Sequence, residues 1–150
     1  MPTFTQQQIK EISEQLDWGF RAFYHKQTRD LIFIPDADKH FALDIHAWQD
    51  DIDKLHKHLS DYHEIEAMEA NDLFQFMADF AGQVSDPKLR DKLMAALNDK
   101  KPFRHFKFVI DNAGKQRQSW FDFKNKRYIE WTAQQIKIQN DIDEQKKSDD

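Results

Sequence analysis

The chain has 150 residues, 39% apolar and 33% charged, with 27 acidic and 22 basic side chains for a net charge of −5. A chain of this length buries roughly 70% of its unfolded surface, so one domain with an ordinary core is expected. With no cysteine, disulfides, thiolate zinc sites, iron–sulfur clusters and thiol nucleophiles are excluded.

Thr5-Gln6-Gln7-Gln8 is a helix start: Thr5 can cap, Gln8 stands at the reciprocal position, and Phe4 can staple onto Ile9. The spacing of Ile9, Ile12 and Leu16 predicts a helix over 6–16. Trp18, Phe20, Ala22 and Tyr24 alternate with their neighbours at the strand period. After the polar stretch Lys26 to Asp30, Leu31-Ile32-Phe33-Ile34 completes a β-hairpin that Pro35 ends. The usual turn glycine is missing, which leaves the turn type open.

Asp44 can cap a helix carrying Ile45, Trp48, Ile52, Leu55 and Leu59 on one narrow stripe. That stripe packs on the sheet or serves a partner or dimer contact of the helix-in-groove type. Residues 62–68 are a possible third strand. Leu73, Phe76, Met77, Phe80 and Val84 predict a helix over 72–84, and Asp86-Pro87 starts another that carries Leu89, Leu93 and Leu97. Pro102 starts a helix with Phe103, Phe106, Val109 and Ile110 inward and Arg104 and Lys107 outward, and Gly114 ends it. Trp120, Phe123, Tyr128 and Trp131 predict a last helix over 118–139. The fold class is α+β: a small antiparallel N-terminal sheet followed by a mainly helical C-terminal half. One domain spans 1–139, and a disordered acidic tail spans 140–150. Phe80, Leu93, Phe106 and Trp120 are expected in the core.

The order of C-terminal motifs resembles a known family. Met77-Ala78-Asp79-Phe80 heads one helix. Ala96-Leu97 runs through Asn98-Asp99-Lys100-Lys101-Pro102 to Phe103-Arg104-His105-Phe106-Lys107, and Trp120-Phe121-Asp122-Phe123 precedes the last helix. This pattern is similar to the uncharacterised protein family 0158 of small bacterial proteins, over most of residues 8–136. Arg29 stands where the family's hairpin turn has Gly, Lys101-Pro102 replaces its Gly-Ala, and residues 36–61 look like an insertion. The resemblance implies the fold; the family carries no settled activity.

Several function classes lack their motifs. Gly19, Gly82 and Gly114 are too scattered for a phosphate loop or dinucleotide fingerprint. His63-Glu64 is followed at the fourth position by Ala67, where a zincin helix needs His, and no Ser sits in a nucleophile elbow. The pairs His46/Asp50 and Asp53/His56 share helix faces, but a metal needs three or four convergent ligands. Asp36, Asp38, Asp44, Asp50, Asp51 and Asp53 read as a solvated face more readily than as an acid–base pair. No catalytic, cofactor-binding or metal residue is assigned.

Charge is uneven: residues 1–97 carry −8, residues 98–127 carry +6 and the remainder −3. In the basic stretch Lys100, Lys101, Arg104, Lys107, Lys124, Lys126 and Arg127 are candidate phosphate contacts, interleaved with Phe103, Phe106, Trp120, Phe121 and Phe123. The plainer alternative makes the aromatics core and the cations solvated helix faces or partners of the chain's own acids. A chain of net −5 also repels phosphate at long range unless its basic segment is spatially segregated.

The leading expectation is a non-enzymatic cytosolic binding or regulatory module with an unidentified protein partner, a homodimer being possible. RNA or single-stranded DNA binding is the first alternative, and an enzyme built on a carboxylate or His cluster the second. No signal peptide is expected in Met1 to Gln8, and no membrane contact, because the apolar runs fall far short of the ~20 residues a span needs.

Overall fold

A computed structural model describes residues 3–40 and 45–149, with side chains to residue 147. The described elements are α1 (Gln6–Asp17), β1 (Phe20–His25), β2 (Leu31–Pro35), a 3₁₀ turn (Ile45–Trp48), α2 (Gln49–Lys57), a second 3₁₀ turn (Leu59–Asp61), β3 (Tyr62–Ile65), α3 (Ala70–Gln83), α4 (Pro87–Leu97), α5 (Pro102–Asp111) and α6 (Lys115–Asp149). This is the expected α+β order of a three-stranded antiparallel sheet followed by helices. The chain groups into two compact units, residues 1–67 with 128–150, and residues 68–127.

In the first unit β1 is the central strand, with Phe23 opposite Ile32 on β2 and Ala22 opposite Ile65 on β3. It is buried on both faces. Phe23 joins Ile32, Ile34, Leu55 and Tyr62 in one cluster, while α1 packs on β1 with Ile12 and Leu16 buried. The α1 start is the expected reciprocal cap: Gln8 N–H donates to Thr5 Oγ1 at 3.1 Å and Thr5 N–H to Gln8 Oε1 at 2.9 Å. Ser13 Oγ and Thr132 Oγ1, both buried, share a 2.9 Å hydrogen bond that joins α1 to α6 and satisfies two hydroxyls at once.

The stripe expected over 45–59 is shorter than its sequence period. Helical hydrogen bonding of the α type covers only Gln49–Lys57, flanked by 3₁₀ turns; Ile45 is 43% and Leu59 58% exposed. Leu55 is buried against the sheet cluster, and Trp48 lies edge-on to Phe20 at 5.7 Å. Asp44, the expected cap, lies outside the described residues.

Arg29 closes the hairpin with φ +65°, the left-handed conformation a turn glycine would supply. A side chain there costs roughly 1–2 kcal/mol. The cost is offset by what the side chain does: Arg29 is 5% exposed, its guanidinium lies 5.4 Å from the Phe4 ring and 5.1 Å from the Tyr24 ring, and its Nη2 donates to Asn140 Oδ1 at 3.2 Å. The partner Asn140 lies on α6. That helix continues to Asp149, past the point near Asn140 where composition alone suggested a frayed tail. A second tether, His63 Nε2 to Asp143 Oδ2 at 3.1 Å, also lies beyond residue 139. Burial raises the Asp143 carboxyl, but the hydrogen bonds from Gln139 and His63 outweigh it and hold the group below the usual carboxylate range.

In the second unit Phe76, Met77, Phe80, Leu93, Leu97, Phe106, Ile110 and Trp120 form the buried cluster, which contains all four residues expected there. Asp86 caps α4 by accepting from Lys88 N–H at 3.0 Å, and Pro87 and Pro102 sit at helix starts. Gly114, at φ +61°, makes the sharp link from α5 to α6. Arg127 fastens α6 to α3: its guanidinium lies 4.5 Å from the Phe76 ring and donates from Nη2 to Asp79 Oδ2 at 3.0 Å.

These contacts set the stability of four variants. Arg29→Ala should cost about 2–4 kcal/mol in denaturant unfolding, because ring contacts and a hydrogen bond are lost while the left-handed backbone remains. Arg29→Gly should cost about 1 kcal/mol less, because glycine accepts that backbone freely. Arg127→Ala should lower the unfolding midpoint while Lys126→Ala, on the exposed side, leaves it unchanged. Asp143→Asn should destabilise by about 1 kcal/mol at pH 7. Because the folded Asp143 is held low, its contribution is present above its unfolded pKa and vanishes as pH falls through the folded value. The difference between Asp143→Asn and the parent in thermal melts should therefore shrink to nothing in acid.

Candidate nucleic-acid interface

The unit formed by residues 68–127 carries twelve basic and eight acidic side chains, a net charge of +4, whereas the rest of the chain carries −9. The basic segment therefore belongs to a compact body of its own sign.

Helical geometry distributes its side chains. Along α5, Phe106 and Ile110 recur four residues apart and are buried. Arg104 and Phe108, also four apart, lie on the opposite face, with Lys101 at the helix cap three residues before Arg104. Phe108 is 71% exposed, more than any other large apolar side chain in the unit, and Arg104 and Lys101 are exposed beside it in the same register. The helix backbone below is held by Asn112 Nδ2, which donates to the Phe108 carbonyl at 2.8 Å.

The seven sequence-predicted cations separate into three groups. Lys100, Lys101 and Arg104 cluster at the start of α5, exposed. Lys107 and Lys124 line a cavity formed by α3, α5 and α6. Lys126 is exposed on α6, and Arg127 is engaged with Asp79 and the rings of Phe76 and Phe123. Among the described residues Lys100, Lys101, Arg104, Lys107 and Lys126 make no ion pair with the chain's own acids. The nearby acid Asp99 is otherwise occupied. Its carboxyl is held below its ordinary value first by the Lys100 backbone N–H, at 2.6 Å, and also by His105, whose Nδ1 lies 2.6 Å away.

The aromatics named from sequence are not the exposed ones. Phe106 and Trp120 are buried, and Phe103, Phe121 and Phe123 are half-buried against the same core. Phe108 is not among those five. The signal was nevertheless present: two residues from Phe106 is about 200° of helix rotation, which carries Phe108 to the opposite face.

The cavity of α3, α5 and α6 has a volume of about 420 Å³, with Leu73, Met77, Phe106 and Trp120 among its walls. Arg117 and Lys124 stand over the Phe121 ring at 4.8 and 5.6 Å, and the one carboxylate on the wall, Asp111, accepts from Arg117 Nε at 3.2 Å. In the first unit a smaller cleft of about 180 Å³ gathers Asp36, Glu64 and Glu66 with Arg21 and Lys39. Arg21 donates to Glu64 from Nε and Nη2 at 3.0 and 2.9 Å, a two-point pair that fixes the Glu64 carboxylate and raises the Arg21 pKa. No three His, Asp or Glu side chains among the described residues converge to hold a metal, and His46, Asp50, Asp53 and His56 form no such set. No helix among them is long and apolar enough to cross a membrane.

No curated protein and no solved structure matches the chain. A family model does match, over residues 4–149, which takes in the sheet, the six described α-helices and the basic unit. The chain belongs to the uncharacterised protein family UPF0158.

Proposed function

We propose that this chain is a non-catalytic binding module and that its ligand is RNA or single-stranded DNA, taken on the outward face of α5. The observation that carries the reading is Phe108, an aromatic ring left 71% exposed with Lys101 and Arg104 in register beside it. Burying a ring of that size in the core would be favourable, and exposing it is not. A base stacked on the ring contributes roughly 1–3 kcal/mol, and the flanking cations meet phosphates and release counterions. Lys100 extends the cationic track at the start of the helix. The +4 charge of the unit supports attraction of a polyanion despite the −5 of the whole chain. A cytoplasmic setting accords with a cysteine-free sequence.

A protein partner is the second reading. It is favoured by Ile138 and Ile142, an exposed apolar pair four residues apart on α6. Catalysis has less support: the larger cavity offers one carboxylate, already paired with Arg117, and the smaller cleft has its Glu64 held by Arg21.

The test is fluorescence anisotropy of a labelled, mixed-sequence single-stranded RNA at low and moderate salt. Binding should weaken as salt rises. Phe108→Ala should weaken it by about 5- to 150-fold, the equivalent of one stacked base. Arg104→Glu should weaken it and reduce the salt slope by at least about 1. An absence of salt-sensitive binding at low salt would reject the nucleic-acid reading and leave the α6 apolar pair as the surface to pursue.

A further inference from the structure

The outward face of α1 mirrors that of α5. On α1, Ile12, Ser13 and Leu16 turn inward and are buried. Glu11, Glu14 and Trp18 fall on the opposite side of the helix and are exposed, Trp18 to 68%. They are spaced by three residues and then four, which sets them on one stripe. Lys101, Arg104 and Phe108 on α5 have the same spacing. Each stripe runs from two charges to one exposed ring, in steps of about 4.5 Å and about 6 Å along the axis.

The signs are opposite. With its caps, α1 (residues 5–18) carries three acids and one base, whereas α5 with its caps (residues 101–112) carries three bases and one acid. Among the described residues neither Glu11 and Glu14 nor Lys101 and Arg104 make an ion pair within the chain. A parallel pairing of α1 from one copy with α5 from another sets Glu11 against Lys101, Glu14 against Arg104 and Trp18 against Phe108 in a single register. The antiparallel pairing keeps only Glu14 with Arg104 and sets Glu11 against Phe108. Pairing α1 with α1, or α5 with α5, opposes like charges. We propose that the chain self-associates by docking α1 of one copy, parallel, on α5 of a second copy, with Glu14 and Arg104 as the central ion pair and Trp18 on Phe108 as the apolar contact. The two surfaces differ, so the contact is heterologous and propagates unless a ring closes or two copies engage reciprocally. Self-association requires no nucleic acid and does not rest on the strand-binding reading. It occupies the same face of α5, so a bound strand and a second copy exclude one another.

The experiment is sedimentation velocity of the full chain over a wide concentration range, at low and moderate salt. At low salt the average mass should rise above the 18.0 kDa of one chain as concentration increases, and it should fall back as salt is added. Glu14→Lys and Arg104→Glu should each weaken association about tenfold or more. Combined in one chain they should restore most of it, because the reversed pair meets in the same register. Trp18→Ala should weaken association while leaving RNA binding of the dilute chain unchanged, so failure of the strand-binding reading and failure of this one are separately visible. A chain that stays monomeric throughout at low salt would overturn the proposal. So would association indifferent to both charge reversals, or a double variant with native far-ultraviolet circular dichroism that associates no better than the single ones. Loss of association in Ile142→Lys would assign the contact to α6 and overturn it as well.

Discussion

Trp120 is the constraint on which the basic unit depends. Its indole sits 5.4 Å from Phe80, 5.0 Å from Phe106 and 6.3 Å from Phe123, so one side chain of α6 touches both α3 and α5. Aromatic pairs at such distances add to the burial of their area. With the inward faces of three helices fixed by this cluster, the remaining positions of each helix have no choice of direction. Lys101, Arg104 and Phe108 face outward on α5 because Phe106 and Ile110 face inward. The same cluster walls the cavity, and Lys107 and Lys124 flank it from α5 and α6.

Electrostatics follows from this packing. A run of cations along a sequence has no fixed meaning, since each can turn to water, to an acid of the same chain or to a ligand. Here one of them, Arg127, is drawn into the fold by Asp79 and two rings, while five others find no acid among the described residues. The unit of residues 68–127 has only eight acids for its twelve cations. Asp99 and Asp111, the acids nearest in sequence, are occupied by the Lys100 backbone with His105 and by Arg117.

The hairpin shows a different trade. Arg29 stands in a conformation suited to glycine, and the chain accepts that local cost because the side chain reaches Phe4, Tyr24 and Asn140. A turn residue thereby becomes a tether for a helix more than a hundred residues later. His63 and Asp143 repeat the arrangement one helical turn further along α6. The two contacts explain how a polar, acidic stretch of sequence is held as helix without an apolar stripe of its own.

Much of the fold was legible because local chemistry and packing agree. Thr5 and Gln8, Asp86 with Pro87, Pro102 and Gly114 marked helix ends through hydrogen bonds and backbone limits that involve only neighbours. The 3.6-residue period identifies Phe80, Leu93, Phe106 and Trp120 as core, and the same period places Phe108 outward. What the sequence by itself determined was therefore the sheet-then-helices order, the caps, the inward faces and the excess of cations over 98–127. What only the tertiary structure decided was where long-range partners lie: that Arg29 and His63 meet α6 at Asn140 and Asp143, that the stripe over 45–59 is buried only in its middle, that Arg127 is engaged within the fold, and that Lys107 and Lys124 share one cavity. Caps and periodicity act between residues a few positions apart. Each of these other outcomes depends on side chains brought together from distant parts of the chain, and no local pattern encodes that meeting.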